Sequence, residues 1–225
     1  MIKLKKLFLA SWFAGSSSLL PNFIKEDLAG KKVVFIPTAT SYPMPNEERA
    51  GYDFINSLDK AALEKLGFIV EILEVENETP EAIEKSITAA DCIFVCGGST
   101  FFLLQELKRK GAEKLISRHI EQGKLYMGTS AGSLIMQKDI VAEENDDPTI
   151  APDLNGDDSG FGFIDFYLYV HYGRHYFGDD EVAFNKYYAH LNCIKIDDNQ
   201  AVTVDGEIIE IVTAPESDIP SLGLE

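Results

Sequence analysis

Strand-length apolar runs rich in β-branched and aromatic residues recur along this chain, at KKLFLAS, KKVVFIPTAT, FIVEILEVE, ADCIFVCGG, KLYMGTS and FYLYVHYG. Each ends near Gly, Pro, Ser or Thr, the residues that break a strand. Between them lie segments with helical spacing. Residues 47–66 would carry Phe54, Leu58, Ala61, Ala62 and Leu66 on one side, and residues 80–90 and 101–122 follow. Strands that are apolar at successive positions are buried on both faces, and their alternation with helices requires a parallel sheet covered on each side. The predicted fold is therefore α/β, a three-layer α/β/α sandwich with a mostly parallel sheet. The end of the chain differs: CIKIDD and QAVTVDGEIIEIV are strand patterns broken by Asp-Asn and Asp-Gly turn signals, which predicts a C-terminal β-hairpin at the sheet edge. With no repeat or low-complexity linker in 225 residues, a single domain spanning 1–225 is expected.

Composition narrows the partners. Lys plus Arg number 20 against 37 Asp plus Glu, a net charge of −17 that repels phosphate backbones, so nucleic acid is not an expected partner. An anionic substrate would need a local cation against that field. Hydrophobic residues at 45% and charged residues at 25% exclude a disordered, collagen-like or coiled-coil chain. Cys92, Cys96 and Cys193 form no CxxC pair and suggest neither a disulfide framework nor a zinc knot, which fits a reducing cytoplasm. The opening MIKLKKLFLASWFAG has the look of a secretory signal, but its apolar stretch is short and reads better as the first strand. No apolar run approaches the ~18 residues of a membrane span, so no membrane is expected as a partner.

The chemistry concentrates at GTSAG, residues 128–132. A short strand precedes it and SLIMQ continues with helical character, which is the strand, turn, helix setting of a nucleophile elbow with Ser130 at its tip. The plain alternative is a tight turn around a small buried serine. A hydroxyl needs a base within hydrogen-bond reach, itself oriented by a carboxylate. Of four histidines, His119 falls on an apparently polar helix face and His190 in KYYAHL, both structural in character. His171 ends the apolar run FYLYVHYG, and active-site residues gather at the carboxyl ends of strands, so His171 is the expected base with His175 as runner-up. No third ligand at metal spacing accompanies that pair, and no metal is expected. The acid would come from Asp139, Glu143, Glu144, Asp146 or Asp147, within or beside a long loop-like stretch over 143–162. Within that stretch DLNGDD has a passing likeness to a calcium loop, but its glycine falls too early and no closing glutamate follows.

CGGST at 96–100 follows a strand and precedes a helix. It lacks the lysine of a P-loop, yet such a turn offers backbone N–H groups to an anion, and Gly98 N–H would join Ala131 N–H as an oxyanion hole. Ser99 and Thr100 there either cap the helix or face substrate.

CGGSTFFLLQEL, MGTSAGSLIM and GFGFIDFYLYVHYGR, in that order, resemble peptidase family S51, the aspartyl dipeptidases (peptidase E) and cyanophycinases, whose fold is similar to that of class I glutamine amidotransferases. The resemblance implies Ser130 as nucleophile, His171 as base and Gly98 with Ala131 as oxyanion donors. It implies an acid in an Asn-Asp context, which Asn145-Asp146 matches, so Asp146 is selected with Glu144 and Asp147 behind it. An α/β-hydrolase would place its histidine much later than the 41 residues that separate Ser130 from His171. In the aspartyl dipeptidases an arginine after the histidine reads the acidic side chain; here Arg174 stands in that region, followed only by Lys186.

The resulting expectation is a serine-type exopeptidase that hydrolyses short peptides, dipeptides with N-terminal Asp foremost, through an acyl-enzyme and with no cofactor. Its partner is a small peptide, and a homodimer is compatible with the sequence. The alternatives are a member whose triad has decayed into a ligand-binding or regulatory module, and an amidase of other specificity.

Overall fold

The computed structural model describes residues 5–140, 148–176 and 178–221. Its centre is β1 (Lys6–Ala10), in which Leu7 to Ala10 are fully buried. This strand runs parallel to β5 (Leu125–Thr129) on one side and antiparallel to β8 (Gln200–Asp205) on the other. Beyond β5 the parallel sheet continues through β4 (Cys92–Val95), β2 (Lys32–Ile36) and β3 (Ile69–Ile72). Beyond β8 comes β9 (Ile208–Thr213), giving the order β3-β2-β4-β5-β1-β8-β9.

Alternate residues of the strands feed two cores. Leu7, Leu9, Val34, Ile36, Ile93, Val95 and Tyr126 face one side, where α4 (Pro80–Ala89), α5 (Thr100–Arg109) and α6 (Ala112–Glu121) contribute Ile83, Leu103, Leu107 and Ile116. Phe8, Ala10, Val33, Phe35, Phe94 and Met127 face the other, against Phe13 of α1 (Phe13–Ser16), Leu20 of α2 (Leu20–Ile24) and Leu63 of α3 (Asn46–Lys65). Both faces of the sheet are dry, which is why its strands read as continuous apolar runs. The expected three-layer architecture is present, and so is the hairpin: β8 and β9 turn through Gly206, at φ 62°, with β9 on the sheet edge.

Three local expectations are corrected. The run FYLYVHYG does not join the main sheet; β6 (Tyr167–Tyr169) pairs in parallel with β7 (Cys193–Lys195) in a separate two-stranded ribbon, so CIK is not part of the edge hairpin. The ribbon is pinned to the body by Leu168 N–H, which donates to Gln137 Oε1 at 2.6 Å. In α3 the inward face is not that of Phe54 and Ala61, both exposed, but that of Asp59 and Leu63. The Asp59 side chain lies on that inward face, its Oδ1 accepting from Ala14 N–H at 2.8 Å. Finally, His119 is buried rather than on a polar face: its Nε2 lies 3.1 Å from the Leu125 carbonyl, and burial lowers its pKa to about 4. Among the described residues no helix is long and apolar enough to cross a membrane.

Candidate active site

β5 delivers the chain to Ser130, which leaves the strand with φ 48° and ψ −117° and is followed at once by α7 (Ala131–Leu134). A non-glycine residue at such angles is strained and is held there by its surroundings. Ser130 N–H donates to the Ala10 carbonyl at 3.1 Å, and Ser133 Oγ anchors the next turn to the same carbonyl at 2.8 Å. The helix expected after the elbow is a single turn. It stops because the carbonyls of residues 135–137 accept instead from Phe161, Phe163 and Gly162 N–H groups at 2.8–2.9 Å.

His171 leaves β6 two residues past its end, also with positive φ, 60°. Its Nε2 lies 3.1 Å from Ser130 Oγ. Its Nδ1 lies 2.6 Å from Oδ1 of Asp198, a carboxylate whose side chain is 1% exposed. Asp198 sits in the turn between β7 and β8, tightened by Gln200 N–H donating to the Asp197 carbonyl at 2.8 Å. Ser11, just past β1, ties the pair together: its Oγ accepts from His171 N–H at 2.7 Å and donates to Asp198 Oδ1 at 2.9 Å. Tyr176 Oη donates to the other carboxylate oxygen at 2.9 Å. Burial pushes the Asp198 carboxyl up, but the bond and charge of His171, with Tyr176 and Ser11, outweigh it and hold the group below the ordinary carboxylate range. A serine, an imidazole and an ionised carboxylate thus form one hydrogen-bonded line, the arrangement through which a hydroxyl proton passes to an oriented imidazole.

The sequence missed Asp198. Asp146, Glu143, Glu144 and Asp147 lie outside the described residues, while Asp139 is engaged by the Tyr167 hydroxyl at 2.9 Å. The only local signal for Asp198 was an acidic Asp-Asp-Asn turn directly after a strand.

Gly98, in the turn after β4, lines the cleft together with Ser130, and Ala131 directly follows Ser130 at the start of α7. Gly98 has φ 137°, and a Cβ there would lie 2.4 Å from the Ala39 carbonyl oxygen, so no other residue fits this turn. Ser99 is the N-cap of α5, its Oγ accepting from Phe102 N–H at 3.1 Å; it and Thr100 line the cleft. His175 is exposed and turned toward the Gly178 carbonyl and Asp180, away from Ser130. Arg174 faces the carboxylate side of the site, its Nε 3.9 Å from Asp198 Oδ2. Its Nε lies 2.5 Å from Asp197 Oδ1 and its Nη2 2.8 Å from Glu216 Oε1.

The cleft has two lobes that share Glu48, Tyr52, Gly98, Ser130, His171 and Tyr176. One, of 370 Å³, runs toward Trp12 and α3; the other, of 410 Å³, runs toward Leu134, Ile150 and Tyr188. Among the described residues neither lobe is lined by lysine or arginine.

A family model for peptidase family S51 matches residues 10–212. An uncharacterized peptidase of Listeria monocytogenes is 37% identical over 93% of this chain and 98% of its own, and one of Listeria innocua is 42% identical over 76% and 78%. Peptidase E of Shewanella amazonensis is 35% identical over 54% of this chain and 48% of its own. The crystal structure of a candidate peptidase E protein from Listeria monocytogenes superposes with a TM-score of 0.83 at 34% identity, covering 94% of this chain and 99% of that one. This chain belongs to peptidase family S51 and is a peptidase by that kinship.

Proposed function

We propose that the chain is a serine-type peptidase acting on short peptides. The unbroken line Ser130–His171–Asp198 carries this reading. His171 takes the Ser130 proton as the hydroxyl attacks the scissile carbonyl, then returns it to the leaving amine. Asp198 fixes the imidazole tautomer and stabilises the imidazolium. The N–H groups of Gly98 and Ala131 receive the oxyanion. Water then hydrolyses the acyl-enzyme by the same proton path in reverse.

A preference for N-terminal Asp would require a cation beside the cleft. Arg174 is already shared between Asp197 and Glu216, and no lysine or arginine lines either lobe among the described residues. Neutral peptides are therefore the better substrates, and Glu48, common to both lobes, is the group placed for a free α-ammonium. That pairing makes the enzyme an exopeptidase.

The test is hydrolysis of a dipeptide and tripeptide panel (Asp-X, Glu-X, Gly-X, Leu-X, Phe-X) by wild type and Ser130→Ala, with fluorophosphonate labelling of both. Cleavage and labelling that vanish in Ser130→Ala are expected. Cleavage that survives the substitution would overturn the serine mechanism, and dominant Asp-X cleavage would overturn the neutral preference.

A further inference from the structure

Gly51 sits inside a twenty-residue helix, α3, where glycine costs about 0.5–1 kcal/mol relative to alanine. Glycines in helices are usually explained by a close neighbour or by a positive φ. Gly51 has neither: a Cβ added there would meet nothing within 4 Å. No demand of the fold accounts for the missing side chain. Gly51 does, however, line the 370 Å³ lobe that opens beside Ser130, together with Trp12, Tyr52 and Ile55. Gly51 is exposed and lies on the wall of the cleft.

We infer that this lobe is a subsite for a bulky apolar substrate side chain, and that Gly51 sets its size. The inference rests on the peptidase reading of Ser130 and adds a substrate class to it. Its apolar walls are the Trp12 indole, the Tyr52 ring and Ile55, surfaces that gain by excluding water from an aromatic or branched aliphatic group, and the carboxylates of Glu48 and Asp198 on the same lining repel a substrate carboxylate. The volume falls within the ~300–1,000 Å³ of ordinary small-ligand clefts. Filling it from the wall by a leucine at position 51 removes the space that a phenylalanyl or leucyl side chain needs, while a glycyl substrate asks for none of it.

Trp12 is the sole tryptophan of the chain, so its fluorescence reports occupation of the lobe without interference. Ser130→Ala protein, which holds substrate uncleaved, is titrated with Phe-, Leu-, Gly- and Asp-bearing dipeptides, alone and combined with Gly51→Leu. We expect saturable changes of Trp12 emission with the Phe and Leu peptides only, weakened about tenfold or more by Gly51→Leu. In the otherwise wild-type enzyme, Gly51→Leu is expected to lower the Phe-over-Gly ratio of kcat/KM by a similar factor. Gly51→Ala supplies a second variant whose fold is secured by its better helix propensity, with a smaller shift in the same direction. Equal binding of the Asp peptides, or a ratio that both variants leave unmoved, would overturn the subsite. Binding that obeys these expectations in a protein that cleaves none of the peptides would instead overturn the peptidase reading and leave the subsite standing.

Discussion

Two buried carboxylates show how environment divides one residue type into two roles. Asp198 keeps its charge because three donors meet its oxygens, from His171, Ser11 and Tyr176. Exchanging it for asparagine presents an amide N–H to an imidazole that needs an acceptor, and the wrong tautomer then faces Ser130. Asp198→Asn is expected to lower kcat by about 10³–10⁴ with little change in KM or melting temperature, measured by steady-state kinetics and calorimetry on the same preparation. Asp59 has the opposite surroundings: its Oδ1 accepts from Ala14 N–H and the Trp12 indole lies beside it, but burial outweighs both and raises its pKa from 3.8 to about 8. The folded state therefore favours the neutral acid, whereas the unfolded chain ionises from about pH 4. Its contribution to stability is full below pH 4 and is lost as pH rises toward 8. Asp59→Asn keeps an acceptor for Ala14 and has no charge to bury. Its melting curve should meet that of wild type near pH 4 and lie higher by about 2–4 °C for each kcal/mol gained as pH approaches 8. Curves that stay parallel across this range would refute the assignment. His119, whose lowered pKa acts in the other direction between pH 6.5 and 4, is common to both proteins and cancels from the comparison.

At the scale of elements, what was legible in the sequence is what is local. Ser130 could be found because an elbow is five consecutive residues whose glycines have steric reasons. A Cβ on Gly132 would stand 2.2 Å from the Val95 carbonyl oxygen, so β4 and α7 approach as they do only with glycine there. Gly132→Ala should cost roughly 1–3 kcal/mol or more as overpacking, and should lower kcat by moving Ser130, a combined loss in calorimetry and turnover. An undiminished turnover at full stability would show that the contact yields freely. The parallel strands were legible for the same local reason, since burial on both faces leaves an unbroken apolar run. Membership of a sheet is not local. FYLYVHYG has the composition of a sheet strand, and only tertiary hydrogen bonds, such as Gln137 Oε1 to Leu168 N–H, assign it to a ribbon of its own. Asp198 was hidden by the same fact. It reaches His171 because β7 runs parallel to β6 and turns sharply before β8, a juxtaposition that no spacing in the chain encodes. The face of α3 was read in part: Ala62 and Leu66 pack against the core as expected, but the polar Asp59 points inward and Phe54 outward, against the usual order of hydrophobicity.

At the scale of the molecule, the two ends of the described chain close one sheet: β8 completes the edge of β1, and Asp198 reaches the site only from the turn that leads into β8. Integrity of the site and of the sheet should then be lost together. Trp12 emission and far-UV circular dichroism are expected to give coincident urea midpoints, and an earlier Trp12 transition would show the cleft opening on its own. The charge of the whole molecule acts on the substrate before any contact is made. A chain of net charge −17 whose cleft is lined by Glu48 and, among the described residues, by no lysine or arginine draws cationic peptides toward the cleft and repels anionic ones. Salt shortens the reach of that field, to about 8 Å at physiological ionic strength against about 30 Å at 0.01 M. Raising ionic strength across this interval should therefore lower kcat/KM for a lysine-bearing peptide, raise it for a glutamate-bearing one and leave a zwitterionic peptide nearly constant. Because the apolar lobe is indifferent to salt on this scale, the three responses separate long-range attraction from the subsite over Gly51. A common response of all three peptides would place the charge effect in the fold rather than in the approach of substrate.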